Sequence, residues 1–320
     1  MTGAAKPSAM PERSPAKAIP GGGGGRGAWA KFDQERRERM AARMENLTFV
    51  KGSRDPDELD PVSAAILEVG STGTSIFDPV LCEIAYRWFC PPGGAVLDPF
   101  AGGSVRGIVA SKLGRAYTGV DLRAEQIDAN RAQAEQICGE PMPKWVCGDS
   151  REVMPALAQQ GVAPQFDFVF SCPPYADLEV YSDDPRDLST LEYEEFRAAY
   201  ATIIAGACAL LKDDRFACFV VGDVRDRKGF YRNFPGHTIE AFEAAGLRLY
   251  NEAILVTAVG SLPIRAGKQF AATRKLGKTH QQVYVFCKGD PRKATEAVGQ
   301  VEFGEIFEPQ LPALAGVEPL

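Results

Sequence analysis

The sequence predicts an α/β chain built on a seven-stranded, mostly parallel sheet of the doubly wound kind, with an antiparallel last strand. Three observations carry that expectation. Short apolar runs alternate with longer stretches of helical period, the pattern of a parallel sheet with helices on its faces. The first three runs end in aspartate and the fourth in a Pro-Pro pair, at the strand ends where such sheets hold ligands. The last two runs show no helical pattern between them, which favours a strand that returns antiparallel to its neighbour.

Taken in order, residues 1–27 are rich in Pro, Ala, Gly and Lys and end in five consecutive glycines, Gly21–Gly25. Such a stretch buries too little apolar surface to fold and reads as a disordered tail. Residues 28–70 form an N-terminal helix and a connecting segment. Between Ala28 and Asn46, charges alternate with Trp29, Phe32, Met40 and Met44 at helical period, which reads as a solvated helix packed on the core, with a DNA contact through Arg36, Arg37, Arg39 and Arg43 as the less favoured alternative. The main domain spans 71–290. Its strands are predicted at 94–98, 116–120, 144–148, 166–171, 214–222, 247–257 and 282–288. Its helices are predicted at 78–90, 103–114, 123–138, 190–211 and 237–246. Within it, 259–279 is a basic insertion, and 291–320 is an acidic C-terminal tail.

Composition narrows the class. The 320 residues accommodate one large domain with appendages, and a hydrophobic fraction of 45% suffices for a full core. No apolar run is long enough to span a bilayer, and the N-terminus lacks the apolar stretch of a secretory signal. Eight cysteines are scattered without a Cys-x-x-Cys pair, and there are only two histidines. That usage argues against a metal site and for reduced, mostly buried thiols in a cytoplasmic protein. The net charge of −6 does not suit a binder of phosphates when taken globally. The charge is uneven, however: residues 1–54 hold eleven Lys and Arg against five Asp and Glu, whereas from Glu302 onward there are four glutamates and no base.

The first strand ends in Asp98, and a turn through Phe100, Ala101, Gly102 and Gly103 opens a helix near Ser104. Glycines there let the backbone come close to a ligand. The spacing Asp-x-x-x-Gly-Gly differs from the Gly-x-Gly-x-x-Gly of dinucleotide sites, which counts against NAD. The second strand ends in Gly119-Val120-Asp121-Leu122, placing a carboxylate where it can accept from two ribose hydroxyls. The third ends in Gly148-Asp149-Ser150, and an acid there can accept from an adenine amine. Single aspartates in loops are usually turn formers or caps. Three at successive strand ends are a constellation.

The fourth run continues into Ser171-Cys172-Pro173-Pro174-Tyr175. The two prolines remove backbone donors, stiffen the chain and leave their carbonyls free as acceptors. The tyrosine that follows offers a face on which a base can stack. These five positions are the candidate catalytic residues. The polar, acidic stretch at 176–187 reads as a substrate wall or lid.

The series Asp-Pro-Phe-Ala-Gly-Gly-Ser, Gly-Val-Asp, Gly-Asp-Ser and Ser-Cys-Pro-Pro-Tyr resembles the S-adenosylmethionine-dependent DNA amino-methyltransferases, in particular phage and prophage enzymes. The resemblance covers roughly residues 72–290. It implies a Rossmann-like methyltransferase fold, S-adenosylmethionine as cofactor, DNA as partner, and methyl transfer to adenine N6 or cytosine N4. Thr74-Ser75-Ile76-Phe77-Asp78-Pro79 matches a further cofactor element in position, so Thr74, Ser75 and Phe77 join the cofactor set. Thr279 to Asp290 resembles the last strand of the family. Where relatives have Asp, Asn or Ser before Pro-Pro, this chain has Cys172, which leaves the target base open.

The implied chemistry needs both amine protons held by acceptors, Pro173 being one, so that the nitrogen lone pair faces the methyl donor, with Tyr175 under the extruded base. No metal is required. Five basic residues and no acid occupy Val259–Lys278, so Arg265, Lys268, Arg274, Lys275 and Lys278 are expected to contact phosphates. Alternatives are an RNA or protein-glutamine amino-methyltransferase, or a non-catalytic DNA-binding protein of the same fold. The sequence does not fix the oligomeric state.

Overall fold

The protein is described from a computed structural model, which covers residues 77–160, 165–175, 181–256 and 262–301. Thr74, Ser75, the predicted tail at 1–27, the expected helix and connecting segment at 28–70, and the part of the predicted C-terminal tail beyond 301 lie outside them.

The chain opens with helix α1 (Pro79–Phe89), whose start is fixed by Asp78: its carboxylate accepts from the amide of Val80 at 2.8 Å, and Pro79 takes the first helical position. Then follow β1 (Ala95–Asp98), α2 (Val105–Lys112), β2 (Ala116–Asp121), α3 (Ala124–Ile137), β3 (Lys144–Cys147), α4 (Ser150–Gln160) and β4 (Phe166–Ser171). After a 3₁₀ turn at Leu188–Thr190 come α5 (Tyr193–Leu210), β5 (Leu211–Val221), α6 (Phe234–Ala244), β6 (Arg248–Val256), α7 (Leu262–Thr273), β7 (His280–Lys288) and α8 (Pro291–Val298).

The seven strands lie in the order β3-β2-β1-β4-β5-β7-β6. All are parallel except β7, which pairs antiparallel with β5 and with β6. This is the expected doubly wound sheet with its one reversed strand. Helices cover both faces, so central strands are apolar on both sides rather than alternating. Every residue of β4 is buried. Phe168 and Phe170 face one cluster with Tyr86 of α1, while Val169 faces the other with Tyr200, Ile204 and Phe242 of α5 and α6.

The chain turns back on itself between β1 and β4, which are neighbours in the sheet (Leu97 opposite Val169) although three helices and two strands separate them in sequence. At such a reversal the loops leaving adjacent strands part in opposite directions and open a crevice at the strand ends. The turn after Asp98 and the Pro-Pro-Tyr segment therefore emerge side by side.

Three helices were not expected. Helix α4 contains Pro155, which breaks the pattern by which a helix is recognised. Helix α7 occupies most of the supposed loop between β6 and β7, so the antiparallel return of β7 does not follow from a lack of helix there. Helix α8 lies in the supposed tail, but its Ala294 and Val298 are buried against the α1 face of the sheet, so the folded unit continues past residue 290. Among the described residues no helix is long and apolar enough to cross a membrane.

Candidate active site

Asp98 is the hub of the strand ends, and it faces inward. It is fully buried, and both of its oxygens are occupied by protein donors. One accepts from the amide of Phe100 (3.2 Å) and the hydroxyl of Ser171 (2.6 Å). The other accepts from Arg106 Nε (2.6 Å) and the Tyr117 hydroxyl (2.8 Å). Arg106 in turn donates to the carbonyls of Phe100 and Ala101, at 2.7 and 2.8 Å. Burial works against the Arg106 charge, but the adjacent Asp98 carboxylate more than offsets it and strengthens proton binding. The ion pair thus clamps the glycine turn to β1, β2 and β4. Asp98 and Ser171, expected at the cofactor and the reacting base, instead hold the framework.

The turn itself is shaped for approach. Gly102 has φ +51°, a conformation that favours glycine, and Gly103 is exposed. The Gly102 amide donates to Asp121 at 3.0 Å and its carbonyl accepts from Asn130 at 2.7 Å. Ala101 is buried, and Phe100 packs against Tyr200 and Phe219 beneath the turn.

Asp121 also accepts from the amide of Arg123 at 2.8 Å. Two backbone donors leave its carboxylate with acceptor capacity to spare. Burial raises its pKa above the usual 3.8, against the pull of these amides and of Arg123. Beside it opens a cleft of about 440 Å³ lined by Leu122, Arg123, Ala124, Glu125, Tyr181, Ser182 and Asp184. The Tyr181 side chain walls the cleft, with the Arg123 guanidinium 6.0 Å from its ring centre. The sequence marks Tyr181 only as part of the acidic stretch at 176–187; an exposed aromatic in a loop carries no periodic signal to single it out.

Asp149 is buried and engaged by Arg151, whose guanidinium approaches to 2.5 Å and whose amide donates at 2.8 Å. Ser150 donates to the carbonyl of Pro99 at 2.6 Å, fastening α4 to the end of β1. Phe77 stacks under Arg106 at 4.7 Å and meets Phe170 edge-on.

Pro173 is buried, and among the described residues no protein donor engages its carbonyl. Cys172 and Tyr175 touch, Sγ to hydroxyl, at 3.5 Å. Burial pushes the Cys172 thiol up, so it is uncharged at neutral pH. The ring of Tyr175 meets Phe234 edge-on at 6.2 Å, and its hydroxyl accepts from Gln281 Nε2 at 2.5 Å. Gln281, at the start of β7, went unnoticed because nothing in a sequence shows that a residue so far along the chain returns to β4.

The basic segment is arranged differently from the expected open loop. Arg265 and Lys268 lie on α7. Arg274 follows the helix, is exposed, and stacks on Phe270 at 5.1 Å. Lys275 is half-buried against Gly229. Lys278 is paired with Asp223, so its charge is already met inside the protein.

No family model and no curated protein matches the chain. Among solved structures, it is similar to a TehB-like SAM-dependent methyltransferase from Corynebacterium glutamicum (19% identity, 73% of this chain and 100% of that one, TM-score 0.40). It is also similar to a putative RNA methyltransferase from Pyrococcus horikoshii (15%, 80% and 100%, TM-score 0.42). A third is a putative sarcosine dimethylglycine methyltransferase from Galdieria sulphuraria (14%, 80% and 99%, TM-score 0.45). Likenesses this distant say nothing about the substrate of this chain.

Proposed function

We propose that the chain transfers a methyl group from S-adenosylmethionine to the exocyclic amine of adenine or cytosine in DNA. The observation that carries this reading is the Pro173-Pro174-Tyr175 segment at the β1/β4 crevice, where two prolines without amide donors lead directly into an aromatic residue.

The residues present suit the cofactor. Asp121 has acceptor capacity for ribose hydroxyls, Gly102 and Gly103 permit close approach, and Leu122 and Tyr181 line a cleft able to take a flat base. When bound, it supplies a methyl group on a positively charged sulfur, which keeps the bonding electrons as the amine nitrogen takes the methyl and sheds a proton to solvent.

The remaining work belongs to the chain. The Pro173 carbonyl accepts one amine proton, drawing the nitrogen towards a pyramidal shape that frees its lone pair. Tyr175 holds the ring of the base, and its hydroxyl, fixed by Gln281, keeps the platform from turning. Base extrusion costs a few kcal/mol of stacking, which contact with Tyr175 offsets. The neutral thiol of Cys172 is unsuited to attack on a pyrimidine ring carbon, which supports the amine as the acceptor.

The test is expression in a methylation-free host, with sequencing of the modified bases. N6-methyladenine or N4-methylcytosine at defined sites, lost in Tyr175→Ala while cofactor affinity is kept, supports the reading. Recovery of 5-methylcytosine, or unmodified DNA from a chain that binds the cofactor, rejects it.

A further inference from the structure

The turn after β5 carries chemistry that the methyl-transfer site leaves unused. Residues 223–233 contain Arg225, Arg227, Lys228 and Arg232 against two acids, Asp223 and Asp226. Both acids have internal work. Asp223 pairs with Lys278, and Asp226 closes the turn by accepting from the amide of Phe230 at 2.9 Å. The turn is firmly built: the Asp226 amide donates to the Phe230 carbonyl at 2.8 Å, and Arg225 and Tyr231 form an antiparallel bridge. The Arg225 guanidinium lies 3.7 Å over the Tyr231 ring and donates to the Gly229 carbonyl at 2.7 Å.

At the tip of this rigid turn Phe230 is 71% exposed, and Arg227 and Lys228 beside it are also exposed. A hydrogen-bonded turn that holds a phenyl ring out in water between cations is shaped for a partner that is apolar at one point and anionic around it. A stacked nucleic acid has that chemistry. A protein partner would call for a continuous apolar patch instead. The location agrees. The turn leaves β5, the neighbour of β4, and runs directly into Phe234, whose ring abuts Tyr175. Lys275 of the basic segment rests against Gly229, so the two cationic stretches adjoin.

We propose that the 223–233 turn is a wedge, with Phe230 entering the base stack next to the extruded base and Arg227 and Lys228 meeting the adjacent phosphates. This rests on the DNA reading above and names a part of the protein that acts on the duplex rather than on the reacting amine.

The first measurement uses the duplex site found by sequencing and a second duplex that lacks the base opposite the target, so that extrusion is already half accomplished. Phe230→Ala is expected to lose about tenfold or more in kcat/KM on the intact duplex and to regain most of it on the second. An equal loss on both, or no loss on either, overturns the wedge while leaving methylation itself intact. The second measurement is independent of turnover. Phe230→Trp, compared with the unsubstituted chain, should show quenched tryptophan emission on mixing with duplex DNA. Unchanged emission refutes insertion. Quenching without any methylated product would retain the wedge and reject the enzymatic reading.

Discussion

At the scale of single residues, the division of labour among the strand-end aspartates decides what each substitution does. Asp98 has no acceptor capacity left for a ligand, and it neutralises a buried arginine. Removing one partner of such a pair leaves an uncompensated charge and costs about 3–5 kcal/mol, a large share of the stability of a domain. Asp98→Ala should therefore lower the thermal midpoint steeply or prevent folding; a stable variant with only weakened cofactor binding would mean that the carboxylate serves the ligand after all. Asp121 behaves differently. In the proposed cofactor site ribose hydroxyls would donate to the anion, so binding would favour ionisation, whereas burial raises the pKa above 3.8. On acidification it takes up its proton earlier than an ordinary aspartate, and cofactor affinity should fall in that higher window. The sign is opposite for folding: a raised pKa stabilises below the unfolded value, so acidification favours the fold while it weakens binding, and the gain in stability is lost as pH rises through the folded value. Calorimetry across a descending pH series, against Asp121→Asn as the non-titrating control, checks this. An acid limb at the unperturbed value would show the group to be freely solvated.

At the scale of elements, close packing of helix on sheet positions the glycine turn. In α2, a Cβ added at Gly107 would lie 2.7 Å from the Trp145 ring and 3.0 Å from that of Tyr117. Alanine is the better helix former by about 1 kcal/mol, but overpacking of this kind costs about 1–3 kcal/mol. Gly107→Ala should thus lower the midpoint of chemical denaturation despite its propensity, and a rise would show that the helix can shift outward. The same scale explains what the sequence could and could not convey. Strands β1, β2 and β4 are short apolar runs that end in Asp or Pro-Pro, and their positions in the chain were legible. Helix α4 was hidden by Pro155 and α8 by having only two buried residues in a polar stretch. The inward turn of Ser171 and Asp98 was hidden for another reason: their partners Arg106 and Tyr117 sit on other elements, and only folding brings them together. The Tyr175–Gln281 bond spans 106 positions and was invisible on the same ground.

At the scale of the molecule, the chain carries a net charge of −6 yet sets exposed bases on the turn that follows β5 and in the segment adjoining it. Arg274 is exposed and Lys275 adjoins the 223–233 turn, whereas Lys278 is internally paired. Replacing Arg274 and Lys275 together with alanine should weaken DNA binding irrespective of sequence and flatten its salt dependence by roughly one phosphate contact per residue. Titrations at several salt concentrations read this directly, and an unaltered slope would place the phosphates elsewhere. Lys278→Ala, by contrast, should alter the slope little, because its charge is already met by Asp223.

The position of β7 has one more consequence. Because it inserts between β5 and β6, strand β6 becomes the rim of the sheet, and Val256 and His280 stand directly opposite each other in the register. The connection between them hangs from that rim by two neighbouring backbone points, at the same carboxyl end of the strands as the Asp121 cleft but on the opposite flank of the sheet. It is a socket. Segments of other lengths can be accommodated between Val256 and His280 while the β6–β7 register is kept, so under the proposed reading the part that meets DNA can be changed apart from the strand-end site.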